Sequence, residues 1–424
     1  MKKIYFVAAI AASMLAFTAC SNDEDASKRG EESTEQILVV QVASAGDGLT
    51  TRAGRPLYSS EAAQDIDNVK IIVYKDGKVA YEKNLADWKT ISKAYTTGGH
   101  GLQYTLTLKG ADKLAAGDYK VLAVGYTGNG DYTYNPALTG LTKEASYTAP
   151  ITATVKSEKE VEEVFAGEVA LTVPTDNDQA FNTPVTLHRQ VAGGFGYFKN
   201  IPAAVDGNAA ATLRLVASAK NTAVKFENFN SSFTETSNAV QYIVNGTTPA
   251  VAEEGIKFSD GSTQGYVVYS LDLKTWFTEG DKNNDGVLNG DDTWANSIDA
   301  LHIVKGSVFA GKFIIPFGYV DGKNTMELQL LSDAGAIIKH WTVKVPAVAP
   351  TNPNAPQVTD QSASVYNIVR NHMYNIGVKV ANPADPTTPG ETPDVEQPED
   401  LSKGQDLILK VNDNWELIHQ MELE

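Results

Sequence analysis

The chain holds 424 residues, enough for two or three domains at about 150 residues each. Its 35 Lys and Arg against 52 Asp and Glu leave a net charge of −17, which repels nucleic-acid phosphate and anionic lipid and argues against DNA or RNA as a partner. A single cysteine excludes a disulfide scaffold, Cys-based zinc sites and dithiol redox chemistry.

Lys2 and Lys3 precede an apolar stretch, residues 4–17, that reads as a secretory leader too short to span a bilayer comfortably. Thr18-Ala19-Cys20 supplies small residues ahead of Cys20, the expected lipidation site, although Phe17 replaces the usual aliphatic residue three before it. An ordinary secretory cut nearby is the bland alternative. Residues 21–35 are polar and charged and read as a tether. Residues 37–42, Ile-Leu-Val-Val-Gln-Val, form an isolated strand candidate, followed by a Ser/Gly/Thr-rich stretch that carries Arg52 and Ala53.

Residues 69–74 and 78–81 flank Asp76-Gly77, a hairpin signal because both residues tolerate positive φ. More strands are expected at 104–108, 119–124 and 164–173, separated by turn clusters such as Gly128-Asn129-Gly130-Asp131. Short strands with frequent turns point to β-sandwiches and away from βαβ units. Residues 185–198 read as the passage into a second domain, with strands at 211–217, 266–273, 308–317, 326–331, 337–345, 366–370 and 374–380. Residues 381–400 carry five prolines and six acids with no Lys or Arg, a stiff, self-repelling segment expected to join no core. Beyond it, Leu407, Leu409 and Val411, then Trp415, Leu417, His419, Met421 and Leu423, fall on one parity.

Catalytic chemistry is not legible. The six histidines show no zinc-ligand spacing, and no nucleophile elbow, P-loop or dinucleotide fingerprint occurs. Gly193-Gly194-Phe195-Gly196 is expected to permit close sheet packing. One metal motif stands out: residues 281–292 place Asp281, Asn283, Asp285 and Asp292 at loop positions 1, 3, 5 and 12, with Gly286 at the sharp turn. Oxygen ligands at this spacing, with the Val287 carbonyl, suit a structural Ca²⁺. Asp at position 12 resembles dockerin calcium loops, and an ion-free Asp/Asn/Gly turn is the alternative.

Several segments follow one another in an order that resembles the fimbrillin family, the two-domain subunits of type V pili in Bacteroidales. They are Leu114-Ala115-Ala116-Gly117-Asp118-Tyr119-Lys120-Val121-Leu122-Ala123-Val124, Val164-Phe165-Ala166-Gly167-Glu168 and Leu187-His188-Arg189-Gln190-Val191-Ala192. Tyr366-Asn367-Ile368-Val369-Arg370-Asn371-His372-Met373-Tyr374 and the ending from Val411-Asn412-Asp413-Asn414-Trp415 to Glu424 complete the set. Ser21-Asn22-Asp23-Glu24-Asp25 resembles the surface-export signals of Bacteroidetes lipoproteins.

The resemblance implies an all-β chain of two transthyretin-like β-sandwich domains, residues 53–184 and 185–380. A lipoprotein signal peptide (1–20), palmitoylated at Cys20, and a propeptide with a removable strand (21–52) would precede them. An arginine-specific protease would remove the first strand and leave a groove; Arg52, before Ala53 in a Gly/Thr-rich segment, is the expected cut ahead of Arg29 and Arg55, and adventitious cleavage there is the alternative. A donor strand from another subunit (406–424), carried on the acidic linker 381–405, would fill that groove with Trp415, Leu417, His419, Met421 and Leu423; residues 406–424 folding back as a hairpin of their own domain is the alternative. Five such side chains at about 1.5–3 kcal/mol each give a gross burial term on the order of 7–15 kcal/mol, before ordering and association costs. The expected role is a stalk subunit of an adhesive fimbrium, an outer-membrane lipoprotein precursor that ends on the cell surface among other fimbrial subunits. An anchor or tip adhesin of the same pilus, or a surface glycan-binding lipoprotein, are the alternatives; no enzymatic activity is expected.

Overall fold

Runs rich in Val, Ile, Tyr and Thr favour strand, and the computed structural model is all-β, with several sheets and two single-turn α-helices among its described residues. Described are residues 35–43, 66–95, 101–148, 150–175, 180–227, 229, 244–261, 264–295, 303–318, 326–344, 367–371, 373–377, 398–403, 407–408 and 410–412. All of them lie in the unit Glu35–Glu424.

The first ten strands are β1 (Gln36–Ala43), β2 (Asn68–Lys75), β3 (Lys78–Leu85), β4 (Lys93–Tyr95), β5 (Gly101–Leu108), β6 (Gly117–Tyr126), β7 (Tyr132–Asn135), β8 (Thr152–Val155), β9 (Val164–Val173) and β10 (Phe181–Arg189). Eight of them join in the order β3-β2-β6-β9-β10-β1-β5-β4. The hairpin expected at Asp76-Gly77 is present. Lys75 faces Lys78 across two residues with φ of 50° and 74°, the positive values that suit the right-handed strand twist. Strand β2 is covered on both faces, and its period of two divides the packing. Val69, Ile71 and Val73 enter one core with Val121 and Ala123 of β6, and with Leu38, Val40 and Val42 of β1. Ile72 faces the other way, into a core with Leu122, Val124, Ala153 and Val224.

The later strands are β11 (Ala192–Lys199), β12 (Ile201–Pro202), β13 (Ala204–Val205), β14 (Asn208–Ala217), β15 (Asn221–Lys225), β16 (Gly246–Pro249), β17 (Tyr266–Asp272), β18 (Val287–Leu288), β19 (Val308–Ile314), β20 (Met326–Ser332), β21 (Ile337–Lys344), β22 (Met373–Ile376), β23 (Glu399–Asp400), β24 (Leu407–Ile408) and β25 (Lys410–Asn412). One sheet runs β19-β11-β22-β25, and another β13-β14-β20-β21-β24 with β17 beside β14. Their shared core holds Phe198, Leu213, Leu215, Tyr269, Leu328, Leu330, Trp341 and Tyr374. The glycine cluster falls in β11, where a Cβ on Gly196 would stand 2.3 Å from the Tyr269 hydroxyl. Residue 184 lies inside β10, and β15 and β16, from beyond it, complete a sheet in the order β16-β15-β8-β7.

Two expectations change here. Residues 381–400 were expected to join no core, yet Pro398 is buried and β23 pairs with Phe198 and Lys199 of β11. Leu401 then enters the core of Phe198, Leu213 and Trp341 completely. An apolar residue just past the acids outweighs their preference for water. The donor segment was expected to begin at 406, but β24 and β25 pair with β21 and β22 of the same chain. Leu407 is fully buried there, which explains the pairing. Residues 413–424 lie outside the described residues.

The groove filled by the first strand

Strand β1 is the most informative feature of the molecule. It lies between two strands that come much later in the chain. Gln36–Val42 pair in parallel with residues 181–187 of β10, and Gln36–Ala43 pair antiparallel with residues 108–101 of β5. By contrast β10 pairs with β9 only through His188 and Arg189. Within the eight-stranded order, β1 therefore supplies the ladder for most of β10 and connects β5 and β4 to the rest. Both flanking strands would gain a free row of N–H and C=O groups if β1 left, the template on which another strand adds.

Side chains repeat the message. Leu38, Val40 and Val42 are fully buried against Leu106, Leu108, Val185 and Leu187. At about 1.5–3 kcal/mol each, the three contribute roughly 5–9 kcal/mol of burial. Val39 and Gln41 face outward and are half-buried. The Gln41 amide donates to Gln103 Oε1 and accepts from the Thr186 hydroxyl, both at 3.2 Å. Gln36 is different: it is fully buried, with Nε2 donating to the Leu114 carbonyl at 2.8 Å and Oε1 accepting from the Leu114 N–H at 2.7 Å. Strand order allows removal, because β1 is the first described element and one cut in residues 44–65 would free it. Arg52 and Ala53 fall in that segment, outside the described residues, as do Cys20 and the donor residues Trp415, Leu417, His419, Met421 and Leu423.

At the far end of β10 sits a polar junction that sequence reasoning missed. Arg189 Nε donates to Glu163 Oε1 at 2.8 Å, and Nη2 lies 2.6 Å from the same oxygen, both side chains being buried. The guanidinium stands 4.8 Å from the Phe165 ring centroid, a cation–π distance. Next to it, the Gln190 amide donates to the Ala166 and His188 carbonyls and accepts from Asn245 and Arg370. Gly167 lets the strands close here: a Cβ would stand 1.9 Å from the Thr186 carbonyl oxygen.

The loop 281–292 is folded on its own amides. Asp281 accepts from the N–H groups of Asp285 and Gly286, Asn283 from that of Asp285, and Asp285 from that of Val287. Asp292, largely buried, accepts from the N–H groups of Lys282 and Asn289. Hydrogen bonds from the Val287 N–H and the amides of Asn283 and Asn289 hold the Asp285 carboxyl below its ordinary range. Among the described residues, no group of three or more His, Cys, Asp or Glu side chains is gathered to hold a metal ion. We propose calcium here on the donor set alone: hard oxygens with further lone pairs, plus the Val287 carbonyl. Millimolar calcium is then expected to raise the melting temperature, and a chelator to reverse the rise. Superimposable melts would leave the loop a hydrogen-bonded turn.

The family model described as fimbrillin-A associated anchor proteins Mfa1 and Mfa2 matches residues 46–281. No curated protein matches the chain. Among solved structures, the chain is similar to the fimbrial anchor protein Mfa2 from Porphyromonas gingivalis at 10% identity, covering 89% of this chain and 98% of that one with a TM-score of 0.36. It is also similar to a fimbrial assembly protein from Parabacteroides distasonis at 16% identity, covering 82% and 91% with a TM-score of 0.33.

Proposed function

We propose that this chain, which belongs to the family of fimbrillin-A associated anchor proteins Mfa1 and Mfa2, is a stalk subunit of a type V fimbrium that polymerises by strand exchange. As a fimbrial surface protein of Bacteroidales it is structural and not an enzyme, and its partners are other fimbrial subunits. One observation carries the finer reading. The first strand forms the middle of a sheet, fills an apolar groove with three buried side chains, and can be freed by one backbone cut. An N-terminal strand so placed acts as a plug that keeps the groove from aggregating until a partner's strand is available. Arg52 is the proposed cut, Cys20 the proposed lipid site that holds the precursor at the outer membrane, and Trp415, Leu417, His419, Met421 and Leu423 the proposed donor side chains.

An Arg52→Ala chain is expected to stay monomeric with β1 in place, while the parent yields surface material that runs as an SDS-resistant ladder and collapses on heating. A ladder unchanged by the substitution overturns Arg52 as the cut. The anchor role is the second reading, favoured by the description of the matching family model and by the pairing of β24 and β25 within their own chain. An anchor keeps its lipid and need donate no strand. In that case surface material would hold this chain at one end of a ladder built from another subunit.

A further inference from the structure

We propose that Gln36 and the main chain of Leu114 form a register lock, a subsite of the groove that selects a strand carrying a carboxamide at its first inward position. The inference rests on the strand-exchange reading for its purpose, but not for its geometry.

The groove is apolar at three of its four inward positions. Leu38, Val40 and Val42 bring only hydrocarbon, and hydrocarbon alone does not distinguish one register from another two residues away. Gln36 is the exception, a fully buried polar side chain at the first pair of both ladders. Its amide meets the N–H and C=O of a single residue, 78 positions later, at 2.7 and 2.8 Å. A primary carboxamide offers a donor and an acceptor side by side, so it pairs with the N–H and C=O of one residue as a neighbouring strand would. Leu114 lies just before β6, in the segment that covers the end of the groove, and its own side chain is in the same core.

Selection follows from what happens when the partner is wrong. A slip of two residues puts Leu38 opposite Leu114 and leaves a buried donor and a buried acceptor without this partner. A slip of one turns every apolar side chain to the other face. A strand with Leu at the first position faces the same loss in the correct register. Glu keeps the acceptor for the Leu114 N–H but sets a lone pair against the Leu114 carbonyl. The lock therefore favours the pattern Gln-x-Leu-x-Val-x-Val of this chain's own first strand. The proposed donor side chains Trp415, Leu417, His419, Met421 and Leu423 include no carboxamide, so a strand seated through them enters without the lock, whereas Gln405-x-Leu407-x-Leu409-x-Val411, on the same parity, carries a carboxamide at its first position.

Two measurements test this. In the uncut full-length chain, Gln36→Leu is expected to speed hydrogen exchange of the Leu114 amide at least tenfold, since its acceptor is gone. Gln41→Leu, which removes an outward amide with two 3.2 Å contacts, should leave that exchange within a factor of two. Equal exchange at Leu114 in the parent and in Gln36→Leu overturns the lock whatever the fate of strand exchange. In a chain with a specific protease site placed in residues 44–65, synthetic peptides of residues 35–43 should then compete for the emptied groove. The parent peptide should bind at least tenfold more tightly than its Gln36→Leu and Gln36→Glu variants. Equal binding by the parent and Gln36→Leu peptides also overturns the lock, while leaving strand exchange intact. If no peptide returns to the cut chain, strand exchange fails instead, and the exchange rate at Leu114 still decides the lock.

Discussion

Val40→Asp is expected to lower the melting temperature by on the order of 10 °C, while Val39→Asp, one residue away, should cost only a few degrees. Val40 is fully buried at the centre of β1, paired with Val185 on one side and Tyr104 on the other. A carboxylate there has no partner of opposite charge among the apolar groups that line the groove, and burying it costs several kcal/mol. At about 2–4 °C per kcal/mol for a chain of a few hundred residues, that shift is readily measured. Val39 points outward and is half-buried, so its carboxylate keeps much of its water. The contrast matters more than either value. If β1 is a plug, Val40→Asp also expels it from the groove, and size-exclusion profiles should show dimers and larger species that the parent lacks. Equal melts for the two substitutions would mean that the two faces of β1 are not inequivalent, and the groove reading would fall.

Continuous apolarity is what makes β1 legible in the sequence. Residues 37–42 alternate little in polarity, and a run so apolar, flanked by polar segments, reads as a strand, although only Leu38, Val40 and Val42 are fully covered. The hairpin at Asp76-Gly77 is legible because its chemistry is local: two residues tolerant of positive φ between β-branched runs. Neither signal names a partner strand. Nothing local says that residues 36–43 lie beside residues 181–187, because that pairing is set by the whole sheet order. Trp276 and Trp294 are not clustered in sequence, and they both pack against the core of Phe195, Tyr197 and Ile303. Sequence separation hides the meeting. The dockings of Leu401 and Leu407 are hidden differently, since a Pro-rich acidic run dominates any window that contains the first of them, and two apolar residues suffice to anchor a chain that already runs past a core.

The buried ion pair at the end of β10 is the least legible feature, because charged residues are expected outside and Glu163 and Arg189 stand 26 residues apart. Its removal should have the second large effect. Glu163→Ala leaves the Arg189 guanidinium in a site where both side chains are almost entirely out of water, and breaking such a pair costs about 3–5 kcal/mol. The double variant Glu163→Leu with Arg189→Met removes both charges and keeps most of the volume, so it should recover most of that loss. A cycle of the four chains, melted under one condition, separates the coupling from the packing. The position of the pair adds a second readout. Arg189 ends β10, whose ladder to β9 is only His188 and Arg189, while Leu187, two residues earlier, lines the groove. Glu163 immediately precedes β9. The ion pair therefore fastens the one end of β10 that does not depend on β1. Loosening that end in Glu163→Ala should raise hydrogen exchange along residues 181–187 more than along β2, whose neighbours on both sides are untouched. A single variant as stable as the parent would show the pair to be dispensable. A uniform rise across both strands would instead show global destabilisation, with β10 held to the sheet by β1 alone.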